Sequence, residues 1–386
     1  MESPRTTPDP TRGAGRLREL AALFLQLGAT SFGGPAAHIA IMEHELVRRR
    51  GWLTREQFLD LIAATHLIPG PNSTELAIHI GHRRAGWPGL VVAGACFILP
   101  AVILTALAAW AYVRWGALPV AGDVLYGIEP VVIAIVLQAL LSLGRTALRG
   151  PGLVLLAAAV AIAAYAGVNE LLLLLAAGGA AIVRARGAAR ARLRTIVPLA
   201  LAPAGAATAM GGVALLPLFL SFLKTGAVLF GSGYVLLAFL RADLVVRHHW
   251  LTESQLLDAI AIGQITPGPV FSTATFIGYV LAGTRGAAVA TAGIFLPAFV
   301  FVAASGPLVP RLRASRTAGA FLDGVVAASL GLMAVVTWQL GRAALGDPLR
   351  IGLAIAAVTA LLRLRVGSLW LVLAGALAGL LRHLGH

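Results

Sequence analysis

Asn72, Ser73 and Thr74 follow Pro69-Gly70-Pro71, and Ser272 and Thr273 follow Pro267-Gly268-Pro269. In both places neutral hydrogen-bond donors stand where a proline-bounded break gives way to a helix. A helix start carries unpaired N–H groups and the positive end of its dipole, which suits an anion. Glycine at 70 and 268 lets a ligand come close to the backbone. The chemistry these residues suggest is recognition of an anion by donors rather than by full charge neutralisation, which leaves release easy. One such break could equally be a packing kink capped by serine or threonine. Two in matched positions favour a site.

A second pair of breaks lies upstream of each. Ser31, Gly33 and Gly34 precede Pro35, and Gly231, Ser232 and Gly233 hold the matching place. Consecutive small residues could mark a close helix contact, but the proline and the repetition favour broken helices that face the first pair. Ionisable groups inside apolar segments are functional candidates. Lys224, the single lysine among 30 basic residues, could draw a dianion or reach back to the headgroups. His38 could titrate near neutrality and carry a proton, or serve as a packed histidine. Glu75, Glu129 and Asp323 are the other candidates for proton coupling, and His66 and Gln264 stand just before the two breaks, where both could face one site.

The elements that must position these residues are membrane helices. Of 386 residues, 59% are hydrophobic and 12% charged, and mean hydropathy is +0.87. Uncharged runs recur at 20–42, 87–113, 152–169, 195–223, 286–310, 324–341 and 366–381. About 20 apolar residues cross a bilayer core, so the chain reads as multi-pass. A soluble protein with this many apolar runs would have too little polar surface. The net charge of +14 does not point to nucleic acid, because the arginines cluster between apolar runs. Arg184, Arg186, Arg190, Arg192 and Arg194 form the densest group, as in cytoplasmic loops. Residues 1–14 read as a polar cytoplasmic tail. Cys96 is the only cysteine, so an internal disulfide and a cysteine metal cluster are excluded. No cofactor motif is present, nor a Walker A pattern or the HExxH of an intramembrane metalloenzyme.

The chain repeats. At a shift of 198 residues, 24–34 lies over 222–232 with six identities in eleven, and 52–71 over 250–269 with eleven in twenty. At a shift of 197, Leu99-Pro100 matches Leu296-Pro297 and Gly127 matches Gly324. The predicted organisation is a half at 15–183, a basic linker at 184–214 and a second half at 215–386. Each half should hold a broken segment (20–42; 215–240) and an amphipathic helix (54–67; 252–265). After the PGP break come a short helix (72–82; 270–283), two long spans (88–113 and 124–144; 286–308 and 319–343) and two short ones. Charge placement favours a re-entrant PGP segment in the first half. Arginine counts leave parallel and inverted halves both open.

"FGGPAAHIAIMEHELV", "WLTREQFLDLIAATHLIPGPNSTELAIHIG" and "GLVVAGACFILP", with "FLKTGAVLFGSGYVLLAFL" and "QITPGP" in the second half, resemble the chromate transporter family. The resemblance implies transport of chromate, and of sulfate as a second candidate, with efflux from the cytoplasm. It also implies that the halves insert in opposite orientation. Gly-Ser-Gly-Tyr at 231–234 and His66 depart from the family's usual residues. The resulting expectation is an all-α polytopic protein of the plasma (inner) membrane. It would act as a secondary transporter of tetrahedral dianions, by alternating access, driven by protons or anion exchange. An anion channel and a membrane protein without a small-ion site are the alternatives. The lipid bilayer, protons and a second copy of the chain are the remaining expected partners.

Overall fold

The computed structural model describes residues 10–32, 34–116, 118–186, 213–230, 233–364 and 366–384. All regular structure among them is helical. Gly33, Gly231 and Ser232 lie outside the described residues, as does most of the arginine-rich linker.

The first half opens with α1 (Pro10–Thr30) and α2 (Gly34–Glu43), which continues into a π-helical turn, His44–Arg49. Gly34 adopts a φ of 78° at the break between them. The helical part thus reaches a few residues into the expected tail. α3 (Arg55–Thr65) starts at a reciprocal cap. Thr54 Oγ1 accepts from Gln57 N–H at 3.2 Å while Gln57 Oε1 accepts from Thr54 N–H at 3.2 Å. α4 (Asn72–Trp115), α5 (Pro119–Ala147), α6 (Pro151–Tyr165) and α7 (Glu170–Arg186) complete the half.

The second half repeats this order with α8 (Leu215–Val228), α9 (Leu236–Leu240) and a π-helical turn at Arg241–Arg247. α10 (Glu253–Ile265) starts at the same cap, made by Thr252 and Gln255. α11 (Thr273–Ala314), α12 (Arg316–Ala344), α13 (Pro348–Thr359) and α14 (Ser368–Leu384) follow. The copies differ at the PGP break. The helix after the first PGP starts at Asn72, whereas Val270–Ser272 forms a 3-10 turn before α11.

α4 and α11 are each two helices folded at a tight turn. Gly86 and Gly283 both sit at φ 62°, where residues with side chains are strained. Across the first turn Gly81 faces Gly89, and across the second Gly278 faces Gly286. A Cβ on any of them would strike the carbonyl of its opposite number. Backbones can approach this closely only through glycine. The expected short-helix and long-span pairs are therefore present, as hairpins.

Segments 72–115, 119–147, 270–305 and 316–344 are long and apolar enough to cross a membrane. Large side chains on the outside are apolar: Trp87, Ile162 and Trp370 are 62–72% exposed. The interior is packed around phenylalanines, among them Phe24, Phe97, Phe222, Phe271 and Phe276. An apolar exterior over an aromatic interior is what a lipid-solvated bundle requires.

The repeat boundary in sequence is not a packing boundary. α13 and α14 of the second half pack along α5 of the first, while α6 and α7 pack along α12. Small residues hold both contacts: Gly127 abuts Gly375 and Gly379, and Gly324 abuts Ala177 and Ala181. The α4 and α11 hairpins also pack on each other. Each half therefore lends its last two helices to the other.

Candidate functional site

The two PGP breaks are tied to the two glycine breaks, each across to the other half. Gly70 N–H donates to Leu229 O at 2.8 Å, and Gly268 N–H donates to Ser31 O at 2.9 Å. Under the 198-residue shift these two bonds are the same bond. Each contributes only about 1 kcal/mol net, so their weight is geometric: they fix four irregular segments in two pairs across the halves. Gly70 holds φ 141° and Gly268 φ 93°. A Cβ on Gly70 would collide with Glu75 Oε1. One on Gly268 would lie 2.9 Å from Ala101 Cβ and 3.0 Å from Gly28 O.

Around the first break, the buried His38 bridges two segments. Its Nε2 lies 3.2 Å from Ser31 O and its Nδ1 lies 3.1 Å from Ser73 Oγ. A carbonyl only accepts, so Nε2 carries the hydrogen, and the neutral ring accepts from Ser73 O–H at Nδ1. Phe97 packs edge-on against the imidazole, with centroids 5.7 Å apart. Asn72 Nδ2 and His66 Nδ1 meet at 3.2 Å and span Pro69-Gly70-Pro71 from outside.

Glu75 sits in the first turn of α4 and is fully buried, and neither of its carboxyl oxygens has a hydrogen-bond partner. Thr74 Oγ1, Ser31 Oγ and Ser272 Oγ are likewise buried without partners. Buried polar atoms are normally paired, and four such residues on the broken segments mark polar capacity that the closed fold does not use. Thr74 and Ser272 are repeat equivalents, so both halves share the feature.

Around the second break, Thr273 Oγ1 donates to Val270 O at 2.8 Å. Gly233, Gln264, Val270 and Thr273 line a cavity of about 10 Å³. That is room for about one water molecule beside the second break.

The other candidates lie elsewhere. Lys224 pairs with Asp243, a buried carboxylate that also pairs with Arg247 and accepts from Ser221 Oγ at 3.3 Å. Its charge is thereby taken up within the second half. Glu129 accepts from Ser254 Oγ at 2.7 Å and pairs with Arg350 at 3.2 Å, bridging α5, α10 and α13. Asp323 is exposed, at the contact between α12 and α7.

Three functional-looking groups were not singled out in the sequence. Asp243 anchors Lys224, Arg350 anchors Glu129, and the buried Asp258 accepts from Tyr112 O–H at 2.8 Å. Asp258 had a signal, since it repeats Asp60 inside the matched "LLDAIA" and "FLDLIA" stretches. Asp243 had a weaker signal, since its equivalent at the 198-residue shift is the acidic Glu45, whereas Arg350 stands where the first half has Leu153 at the 197-residue shift.

The chromate transporter family model matches residues 18–183 and 216–380, each half in turn. The chain belongs to the chromate transporter family. The chromate transport protein of Cupriavidus metallidurans is 33% identical over 393 residues, covering 97% of both chains. That of Pseudomonas aeruginosa is 34% identical over 338 residues, covering 84% of this chain and 81% of its own. A probable chromate transport protein of Synechococcus elongatus is 32% identical over 341 residues, covering 86% of each. No solved structure matches. The family assignment makes the chain a membrane transporter for an oxyanion, with its repeats at the places the chromate transporter family model marks.

Proposed function

We propose that this family member is a secondary transporter that moves chromate out across the plasma membrane, with sulfate as a competing tetrahedral dianion. The dianion would bind where the four breaks meet. The observation that carries this reading is the reciprocal pair of bonds, Gly70 to Leu229 and Gly268 to Ser31. They gather Asn72, Ser73, Thr74, Ser272, Thr273 and the backbone of both PGP segments into one matched arrangement. Irregular backbone at membrane depth persists where protein buries it or a cavity opens beside it. Repeat-built transporters place substrate at such breaks. Re-entrant PGP segments in oppositely inserted halves would give the arrangement its two-sided access.

Glu75 gives the site its proton. An ionised carboxylate left unpaired in this interior would cost several kcal/mol, so the side chain is held as the neutral acid in the closed state. A dianion nearby is repelled by the ionised form and tolerated by the acid. Dianion and proton therefore bind together, so a pH gradient alters the flux while an exchanged anion supplies the drive for efflux.

Since the cavity at the second break holds about one water, passage requires the breaks to separate. This favours alternating access over an open channel. The lent helices, α6–α7 on α12 and α13–α14 on α5, would move with their hosts. The test is chromate and sulfate flux into proteoliposomes with and without a pH gradient, beside a Pro69→Ala, Pro71→Ala variant. Saturable flux that is lost in the variant supports the reading. Flux that rises linearly with chromate would mark a channel, and no flux from folded protein would remove the substrate assignment.

A further inference from the structure

A cavity of about 330 Å³ opens between α6, α7 and α12, away from the breaks. Arg149, Arg184 and Asp323 line it together with Leu153, Leu156 and Ala320. Arg149 Nε donates to Thr146 O at 3.0 Å. Among the described residues, neither arginine pairs with a carboxylate. The Arg184 guanidinium lies against Gly152, where a Cβ would overlap it, in the first turn of α6. That turn contains no acidic residue. A cation is therefore held against the positive end of a helix with no acidic residue in that turn to offset it.

The repeat shows what a balanced version of this place looks like. Its counterpart lies between α5, α13 and α14, where Tyr126 stands for Asp323 and Arg382 for Arg184. Arg350 and Arg382 stack on the Tyr126 ring, 4.1 and 3.7 Å from its centroid. Tyr126 O–H donates to Asp347 at 2.6 Å. Arg350 pairs with Glu129, and Arg382 with Asp123 at 3.7 Å. The two arginines there meet three carboxylates and a ring that fills the space. On the cavity side Ala320 replaces Asp123, Val326 replaces Glu129 and Gly150 replaces Asp347. The ring and those three carboxylates are gone, Asp323 is the one carboxylate among the described lining residues, and two arginines, Arg149 and Arg184, face the space.

We propose that this cavity is a headgroup site for an anionic phospholipid. Its phosphate would sit between Arg149 and Arg184, and its acyl chains would run along Leu153 and Leu156. Basic pockets between membrane helices take phosphate headgroups in this way. The apolar wall of Leu153 and Leu156 favours a lipid over a free ion. Asp323 at the rim sets an upper limit on affinity and favours a headgroup with one phosphate over a more highly charged one.

The test is native mass spectrometry of the full-length protein in detergent, titrated with phosphatidylglycerol or phosphatidylcholine. Retained phosphatidylglycerol should fall at least about tenfold in Arg149→Gln, Arg184→Gln. Ala320→Asp, which restores a carboxylate at the place of Asp123 and deletes nothing, should lower it too. Arg363→Gln, an exposed arginine elsewhere, should leave it unchanged. Equal retention by the wild type and both cavity variants would overturn the proposal. So would equal retention of phosphatidylcholine, or displacement of the lipid by inorganic phosphate at matched concentration. The readout is lipid binding, so it stands apart from any failure of chromate flux.

Discussion

Gly70 of the first half donates its N–H to Leu229 O of the second at 2.8 Å, across 159 residues of chain. Its repeat equivalent, Gly268 to Ser31, makes the same bond at 2.9 Å. Both donors are glycines in the left-handed region, and both are crowded on the side where a Cβ would project.

Alanine at either position should therefore cost more than strain alone. Gly70→Ala and Gly268→Ala are expected to destabilise by about 2 kcal/mol or more. Gly86→Ala is the comparison, since Gly86 has φ 62° and open space where a Cβ would project. It should lose about 1 kcal/mol. Thermal unfolding of the three purified variants ranks them, and a Gly86→Ala loss as large as the others would contradict the steric account.

Glu75→Gln keeps the shape of the neutral acid without its proton. Chromate flux should persist while its response to a pH gradient disappears. Proteoliposome flux at several external pH values measures this. A wild-type pH response in the variant would exclude Glu75 as the proton site.

Lys224 and Arg247 share the buried Asp243. Removing one cation leaves the other, so Lys224→Met should be mild. Removing both leaves a buried carboxylate unpaired, at about 3–5 kcal/mol. The double variant should thus lose more than the sum of the two single losses, which unfolding midpoints would reveal. Chromate KM should be unchanged in Lys224→Met; a large rise would return this lysine to the site.

Asp347 caps α13, accepting from Arg350 N–H at 3.1 Å. The Tyr126 hydroxyl, the Arg350 amide and the Arg350 guanidinium hold its carboxyl below the usual range, against slight desolvation. A lowered value means its contribution is present above the unfolded pKa and lost as pH falls through the folded one. Asp347→Ala should therefore lower Tm at neutral pH, and the gap to wild type should close in acid. A gap that does not narrow would show that the cap, not the charge, carries the effect.

Much of the local structure was legible in the sequence because its causes are local. The PGP breaks and the small-residue breaks upstream of them depend on residues within a few positions, and each was visible twice; the caps at Thr54 and Thr252 and the turns at Gly86 and Gly283 are equally local but were not singled out. Lys224 also stood out as a buried-segment cation, but its partner did not. Asp243 is 19 positions away, beyond a broken stretch, and nothing in spacing aims one at the other. The same limit hid Arg350 from Glu129 and Tyr112 from Asp258.

What the sequence determined by itself is the membrane character, the two-fold repetition and the positions where helices must break. These follow from hydropathy, from identity at a fixed shift and from the backbone limits of proline and glycine. Only the tertiary structure decided that each PGP break bonds to the other half's glycine break. It alone showed that the terminal helix pairs are exchanged, and that Glu75 is left unpartnered while Lys224 is not. The first two outcomes depend on which surfaces meet between segments 100 or more residues apart, and the pairing of Lys224 on how a broken stretch of 19 residues folds back; local preference carries no term for either.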